Sequence, residues 1–139
     1  MAVWRAKLLK LFPEDKQTIE KESLYSIFHL MLNRVHEAHI DRNPAMLSKI
    51  YGFAMWCAEQ ESKLLWNPAG VSFYEHLFDC DQQYWNDVIA WLHPSIIRNH
   101  QSLWEFMLPK DRYQELCKLL SVHLKKGKVK PNRHSEKLI

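Results

Sequence analysis

The stretch from Trp66 to Phe78, WNPAGVSFYEHLF, decides the fold class of this 139-residue chain. Asn67 is a good helix N-cap, and Pro68 suits the first helical position because its missing N–H would have no intrahelical partner there. At about 100° per residue, the apolar side chains of this stretch cover just over half of a helix circumference. A face that wide needs neighbours on two sides, so we predict the central helix of an all-α fold.

The composition of the chain also favours helices. A hydrophobic content of 47% with 25% charged residues is ordinary for a soluble globular domain, and the length fits one domain. With only three glycines, the chain is poorly suited to the many tight turns of an all-β fold and has no Gly-rich phosphate loop.

Apolar residues recur at helical spacing on both sides of the central stretch. The predicted helices cover residues 3–12, 16–38, 44–60, 67–78, 79–92 and 95–108, and a last one ends near Leu124. We predict that Ile96, Ile97, Leu103, Trp104 and Met107 form the inward face of the helix over 95–108. Because short, proline-marked turns favour antiparallel neighbours, we expect a compact bundle or a short, helical-hairpin-like stack of six to seven antiparallel helices.

The helix from Val3 to Phe12 has two interpretations. Trp4, Leu8 and Phe12 share one side, so the helix could be an arm that binds a partner or a membrane surface, or a first helix docked on the core. We expect docking, because other apolar residues blur the separation of its faces.

Charge is distributed unevenly along the chain. Residues 1–12 carry +3 and residues 125–139 carry +5, which leaves −5 for residues 13–124 since the whole chain carries +3. The C-terminal stretch contains glycine, proline and no hydrophobic period. We therefore predict a single helical domain over residues 1–124, followed by a basic, flexible tail over residues 125–139.

Cysteine usage and hydropathy indicate a reducing, aqueous environment. Cys57, Cys80 and Cys117 are odd in number and form no CxxC, so we expect reduced, partly buried thiols rather than disulfides or a zinc site. No run of about 18 apolar residues is present, and the N-terminus lacks the features of a signal peptide. The expected location is the cytoplasm, with no membrane span.

Histidines invite a metal hypothesis that their spacing does not favour. His29, His36 and His39 fall on one predicted helix, but HEAH differs from the HExxH arrangement, whose two ligands share one helix face. A structural or surface role is expected for these three residues. We predict no metal and no cofactor.

Two other histidines could mark a pocket. His100 falls within an apolar arc, where a buried imidazole needs a hydrogen-bond partner or loses its charge, and it is either a satisfied core residue or a base. His76, beside Glu75, could orient a loop or form one wall of a pocket. No nucleophile motif or paired carboxylates accompany them, so we predict no enzyme activity and no catalytic residues.

The candidate contact residues fall into two groups. Trp56 lies on the polar side of its helix, where an exposed tryptophan suits a protein contact. The candidates for a partner contact or pocket are Trp56, Glu75, His76, His100 and Trp104. The candidates for phosphate contact are Lys125, Lys126, Lys128, Lys130 and Arg133, although no aromatic residues are interleaved with them to stack on bases.

The block VSFYEHLF, from Val71 to Phe78, carries a resemblance to a known group. Together with a preceding helix over residues 48–60 and the later pair Leu103-Trp104, it resembles a family of small uncharacterised all-helical bacterial proteins. Some of these occur in toxin-neutralising, immunity-like contexts, so the resemblance implies binding without catalytic residues. The basic C-terminal stretch departs from the acidic pattern of such proteins.

Three functions from different classes remain open. We expect a small soluble module that binds another protein, in a neutralising or regulating role. The alternative is a nucleic-acid-associated protein that uses its basic N- and C-terminal ends. A third hypothesis is a hydrolase or metal protein centred on the histidines, which metal analysis of the purified protein would test.

Overall fold

The computed structural model describes the backbone of residues 1–129 and the side-chain surroundings of residues 1–125. Within this part of the chain the structure is all-helical, without strands, which confirms the predicted class. The α-helices are α1 (Val3–Leu11), α2 (Lys16–Lys21), α3 (Leu24–Asp41), α4 (Pro44–Ala58), α5 (Lys63–Ser72), α6 (Trp85–Ala90), α7 (Pro94–Met107) and α8 (Lys110–Val129). Short 3-10 segments cover Pro13–Asp15, Tyr74–Asp79 and Gln82–Tyr84.

The number of helices differs from the prediction. The described residues contain eight α-helices instead of six to seven, and the structure does not show an antiparallel bundle or hairpin repeats of that size. The additional helix arises because the predicted helix over residues 16–38 is divided into α2 and α3 at Ser23.

The chain forms two compact units, Met1–Tyr74 and a second unit that begins at Glu75. Helix α8 runs to Val129, past the predicted end near Leu124. The predicted flexible tail therefore overlaps the last turn of α8, and the remainder, residues 130–139, lies outside the described residues. That residues 1–124 form a single helical domain stays a prediction.

The first unit is built on three helices that pack against one another, α3, α4 and α5. Aromatic rings join them: Phe28 lies 5.6 Å from Phe53 and 5.8 Å from Phe73, measured between ring centroids. Tyr51 meets Phe73 edge-on at 5.8 Å. Its hydroxyl also lies 2.8 Å from Nε2 of His39, so this buried histidine has a hydrogen-bond partner.

Helix α1 docks on this unit, as expected. It packs against α2 and α4 and buries Leu8, while Phe12, directly after the helix, is buried too. Its polar side remains exposed, with Lys7 and Lys10 in solvent.

The central stretch is buried, but its helix starts and stops elsewhere than predicted. Helix α5 begins at Lys63, where the Ser62 hydroxyl accepts a hydrogen bond from the Leu64 N–H at 3.3 Å, and Pro68 lies inside the helix. The predicted start at Pro68 is therefore wrong. Asn67 does not cap a helix; its side-chain amide donates to the Tyr25 hydroxyl at 2.9 Å.

The same stretch also changes conformation halfway along. Phe73 leaves the helical region, with φ −127° and ψ −72°, and Tyr74–Asp79 continues as a 3-10 segment. Of the apolar residues predicted to face inward here, Phe73, Tyr74, Leu77 and Phe78 are buried, but Val71 is 38% exposed. The burial of the large side chains was thus predicted correctly although a continuous helix was not.

The predicted helix over residues 16–38 is divided in two at Ser23. The Ser23 backbone is extended, and its hydroxyl accepts a hydrogen bond from the Ser26 N–H at 3.2 Å, which starts α3 anew. The apolar stripe predicted for α3 is buried in full: Leu24, Ile27, Phe28, Met31, Leu32 and Val35.

In the second unit, α6 and α7 pack against α8. Phe78 joins its aromatic core, with ring centroids 5.7 Å from Trp85 and 4.8 Å from Trp104, both edge-on. Residues 79–92 form the short α6 after a 3-10 turn instead of one helix. Leu103 and Met107 were predicted to belong to the inward face of α7. This prediction is wrong, because their side chains are 36% and 39% exposed.

Across residues 1–129, every helix falls short of the length or the apolar content that a membrane span requires.

Candidate functional site

The predicted contact residues do not all belong to one unit. Trp56 lies on α4 in the first unit, whereas Glu75, His76, His100 and Trp104 belong to the second.

His100 is held by its own helix. Its Nδ1 donates to the carbonyl of Ile96 at 2.8 Å, and its ring stacks on Trp104 with centroids 6.2 Å apart. Burial lowers the pKa of His100, while the Ile96 carbonyl and the Glu75 carboxylate oppose that shift. The imidazole is thus favoured in its neutral form, as in a partly buried structural histidine.

The neighbouring candidates have structural partners as well. His76 Nδ1 lies 3.0 Å from Asp79 Oδ2, and both side chains are partly exposed. Trp104 is fully buried against Phe78, so it belongs to the core of the second unit. Glu75, His76 and His100 are all half-buried, whereas Trp104 has no exposed surface.

The cysteine thiols have the properties of buried core residues. All three cysteines are free, and burial raises the pKa of Cys57 to about 12 and that of Cys80 to about 11. A thiol with so high a pKa is a poor nucleophile at neutral pH, because the thiolate is the reactive form. In the part of the chain that the structure describes, no three His, Cys, Asp or Glu side chains come together as a metal-binding group.

The candidate phosphate contacts lie at the end of the described chain. Lys125 is exposed on α8, Lys126 and Lys128 fall in its last turn, where side chains are not described, and Lys130 and Arg133 lie outside the described residues. Of these five residues, only Lys125 has a described side chain.

A different surface stands out in the first unit, where α1 packs on α4. An open groove of about 410 Å³ runs between the two helices. We call it the basic groove, and it is lined by Lys7, Lys10, Leu11, Ser48, Lys49, Gly52, Phe53 and Trp56. Its volume falls within the range of about 300–1,000 Å³ that is typical of ligand sites.

One wall of the basic groove is aromatic. The Trp56 ring stacks on Phe53 with centroids 6.2 Å apart and planes inclined by 27°. The Lys7 ammonium lies 4.8 Å from the centre of the Trp56 ring, a cation–π contact between α1 and α4. Lys49 makes a similar contact with Phe12 at 5.5 Å.

Gly52 opens the floor of the groove. Apart from its chain neighbours and the backbone of its own helix, no heavy atom lies within 4 Å of the point where a Cβ on Gly52 would stand. A glycine in the middle of a helix has a cost of about 1 kcal/mol relative to alanine. Here the missing side chain widens the groove beside Phe53 and Trp56.

The electrostatics of the groove are uniformly positive. Lys7, Lys10 and Lys49 border it, and no carboxylate is among the residues that line it. Within residues 1–125, whose side chains are described, none of the three lysines forms an ion pair. The groove can therefore receive an anionic partner without first breaking a salt bridge.

Sequence reasoning found one residue of this groove, Trp56, and missed the rest. The lysines of α1 contribute only to the positive charge of residues 1–12 in the sequence, and Lys49 carries no signal of its own. A charge cluster shared by two helices becomes visible only when their packing is known. The available clue was that Trp56, Gly52 and Ser48 recur every four residues and so share one face of α4.

The comparison with protein families gives one match. Residues 5–105 match the model of a domain of unknown function, DUF7674, and the chain belongs to this family. The matched stretch contains every residue of the basic groove and ends before α8. No curated protein and no solved structure matches the chain.

Proposed function

We propose that this member of an uncharacterised family is a small protein-binding module without catalysis, and that the basic groove is its contact surface. The observation that carries the proposal is an open groove in which lysines without ion-pair partners among the described residues border an aromatic wall. Tryptophan at the centre of a rimmed depression is typical of residues that dominate binding energy at protein interfaces.

The location of the groove also supports the proposal. It lies within the family match, whereas the basic C-terminal lysines lie beyond residue 105. The raised pKa values of Cys57 and Cys80 favour binding over nucleophilic catalysis.

The kind of partner is suggested by the resemblance to small all-helical bacterial proteins, some of which occur in toxin-neutralising contexts. We propose that the chain neutralises or regulates a partner protein in the cytoplasm. This role needs a stable surface and no catalytic group, which is consistent with an accessible groove on a well-packed helical unit.

The test compares two tryptophans of the same unit. Tagged protein captures its partner from host lysate, the partner is identified and purified, and its affinity is measured for Trp56→Ala and Trp66→Ala. Trp66, 42% exposed on α5 and absent from the groove lining, is the matched control. We expect Trp56→Ala to weaken binding by about 2 kcal/mol or more, as at interface hot spots, and Trp66→Ala to leave it nearly unchanged. Equal losses would remove the groove from the proposal.

A second candidate function is association with nucleic acid. The observation that favours it is that Lys7 and Lys10, from the basic N-terminal segment, meet Lys49 at one surface. Binding through phosphates would weaken steeply as salt rises. A titration with mixed DNA or RNA at two salt concentrations distinguishes this candidate from protein binding.

A further inference from the structure

We infer that the basic groove binds an acidic polypeptide segment of the partner, with carboxylates facing Lys7, Lys10 and Lys49 and one apolar side chain inserted above Gly52. This inference rests on the proposed function and names the chemistry of the partner. It follows from the charge, the length and the aromatic wall of the groove.

The charge of the groove selects the sign of the occupant. Three lysines line one depression, and no acidic residue lines it. Carboxylates are attracted to this positive charge, and a complementary partner also associates faster because it is attracted from a distance.

The length of the groove selects a segment over a single small anion. Its α4 wall extends from Ser48 to Trp56, which at 1.5 Å per residue is about 12 Å along the helix. An extended peptide covers that distance with about four residues. The lysines on α1 and α4 can then each meet a different carboxylate of one segment.

The aromatic wall supplies the apolar part of the contact. The Lys7 ammonium rests on the Trp56 ring, and a carboxylate at the groove would draw it away from that ring. The space above Gly52, next to Phe53 and Trp56, then receives an apolar side chain. Acidic residues on both sides of one leucine or similar residue match this arrangement.

A peptide fits better here than a nucleic acid. Sequence-tolerant binding of single strands depends on aromatic rings that are available for base stacking. The rings that line the groove, Phe53 and Trp56, stack on each other and do not form a series of separate platforms for successive bases. Tighter binding of an oligonucleotide than of the acidic peptide is therefore an outcome that contradicts the inference.

The experiment is a calorimetric titration of the full chain with a synthetic peptide of Asp and Glu residues around one central Leu. Its counterpart with Asn and Gln in place of the acids is the neutral control, and oligouridine RNA of similar length is the competing polyanion. We expect the acidic peptide to bind, with a Kd that rises by about tenfold or more from about 0.05 to about 0.5 M salt. The neutral peptide should not bind measurably.

Two triple variants locate the site. Lys7→Gln, Lys10→Gln and Lys49→Gln together should raise the Kd for the acidic peptide by about tenfold or more. Lys16→Gln, Lys21→Gln and Lys63→Gln change the net charge equally at exposed positions of the same unit that do not line the groove. This control set should change the Kd by less than about threefold, since distant surface charges are largely screened.

A second readout follows Trp56 directly. The acidic peptide should alter the tryptophan emission of the protein as Lys7 leaves the ring, and Trp56→Phe should abolish that change although five other tryptophans remain.

Three results would overturn the inference: no binding of the acidic peptide, equal losses in both triple variants, or tighter binding of the RNA through the groove lysines. The proposed function fails separately, when Trp56→Ala does not weaken binding to the purified partner. A partner that needs Trp56 but is insensitive to the groove lysines would leave the function standing and refute the acidic segment.

Discussion

The ion pair between Asp15 and Arg34 is the best-defined polar contact in the first unit. Two hydrogen bonds join the Arg34 guanidinium to the Asp15 carboxylate at 2.5 and 2.9 Å. The Arg34 side chain is 29% exposed and the Asp15 side chain 20% exposed. The hydrogen bond from Arg34 lowers the pKa of Asp15, although burial opposes the shift. This pair fastens the 3-10 turn after α1 to α3.

Asp15→Asn should destabilise the protein by about 1–2 kcal/mol at pH 7, because a charge-assisted pair is lost while Arg34 remains partly buried. Since the folded pKa is below the unfolded value of 3.8, the stabilisation is fully present above that pH. It is lost as the pH falls through the folded pKa. Urea unfolding of both proteins at pH 7 and at stepwise lower pH measures the difference, and a difference that grows on acidification would refute the assignment.

Phe73 is the residue on which the core of the first unit depends most. It is fully buried and contacts Phe28, Tyr51 and Tyr74. Phe73→Ala should destabilise by about 3–5 kcal/mol from lost burial and the cavity left behind. Leu64→Ala, at a site 81% exposed, is the control and should change stability by less than about 0.5 kcal/mol. Similar unfolding midpoints for the two variants would be inconsistent with this core.

Helix boundaries depend on a few hydroxyl groups. Ser23 starts α3 by accepting the Ser26 N–H, and Ser62 starts α5 by accepting the Leu64 N–H. Each of these serines sets a helix start that apolar periodicity alone does not show. They account for two of the differences between the predicted and observed elements.

Ser23→Ala should destabilise by about 1 kcal/mol, because the cap hydrogen bond to α3 is lost. Ser23→Gly should cost only a few tenths of a kcal/mol, since glycine is tolerated at an N-cap. Thermal unfolding of the two variants gives the comparison. An alanine variant as stable as the wild type would show that the cap does not hold the boundary.

The helical class and most of the core were predictable from periodicity. The apolar stripe from Leu24 to Val35, which recurs at three- and four-residue spacing, is buried, and Asn43, a typical N-cap before Pro44, caps α4 through its side chain. The stretch after Ser72 could not be predicted, because a 3-10 segment buries the same residues as an α-helix would over a few positions. On α7, helical spacing placed Leu103 and Met107 inward, but the narrower stripe of Ile96, Ile97 and Trp104 is what packs.

The candidate site was predictable only in part. Trp56 was predicted to be exposed on the polar side of its helix, whereas the structure places it half-buried beside Phe53 and Lys7. Lys7, Lys10 and Lys49 come together because α1 docks on α4, a tertiary contact that neither helix encodes alone. A local pattern therefore indicates a contact residue, whereas a shared electrostatic surface needs the fold.

Over the whole molecule, function is expected to reside in the first unit and not in the C-terminal lysines. Deletion of residues 130–139 together with Lys125→Gln, Lys126→Gln and Lys128→Gln removes all five C-terminal candidates, which lie outside the family match. We expect this variant to retain the helical content and the affinity for the partner. Circular dichroism and a binding titration check both. A strong loss of binding with a flattened salt dependence would favour the nucleic-acid alternative.

The central claim is that the basic groove is where the partner binds. Gly52 tests it most directly, because a side chain there meets open space and enters the groove. Gly52→Ala should stabilise the protein by about 0.5–1 kcal/mol and leave the groove passable. In Gly52→Leu, the leucine also favours the helix, but its side chain fills the groove.

The decisive measurement is the ratio of the Kd values of Gly52→Leu and Gly52→Ala for the purified partner, with thermal unfolding confirming that both variants are folded. We predict a ratio of about ten or more, since the leucine occupies the space that the partner needs. A ratio near one, with both proteins folded, would contradict the account.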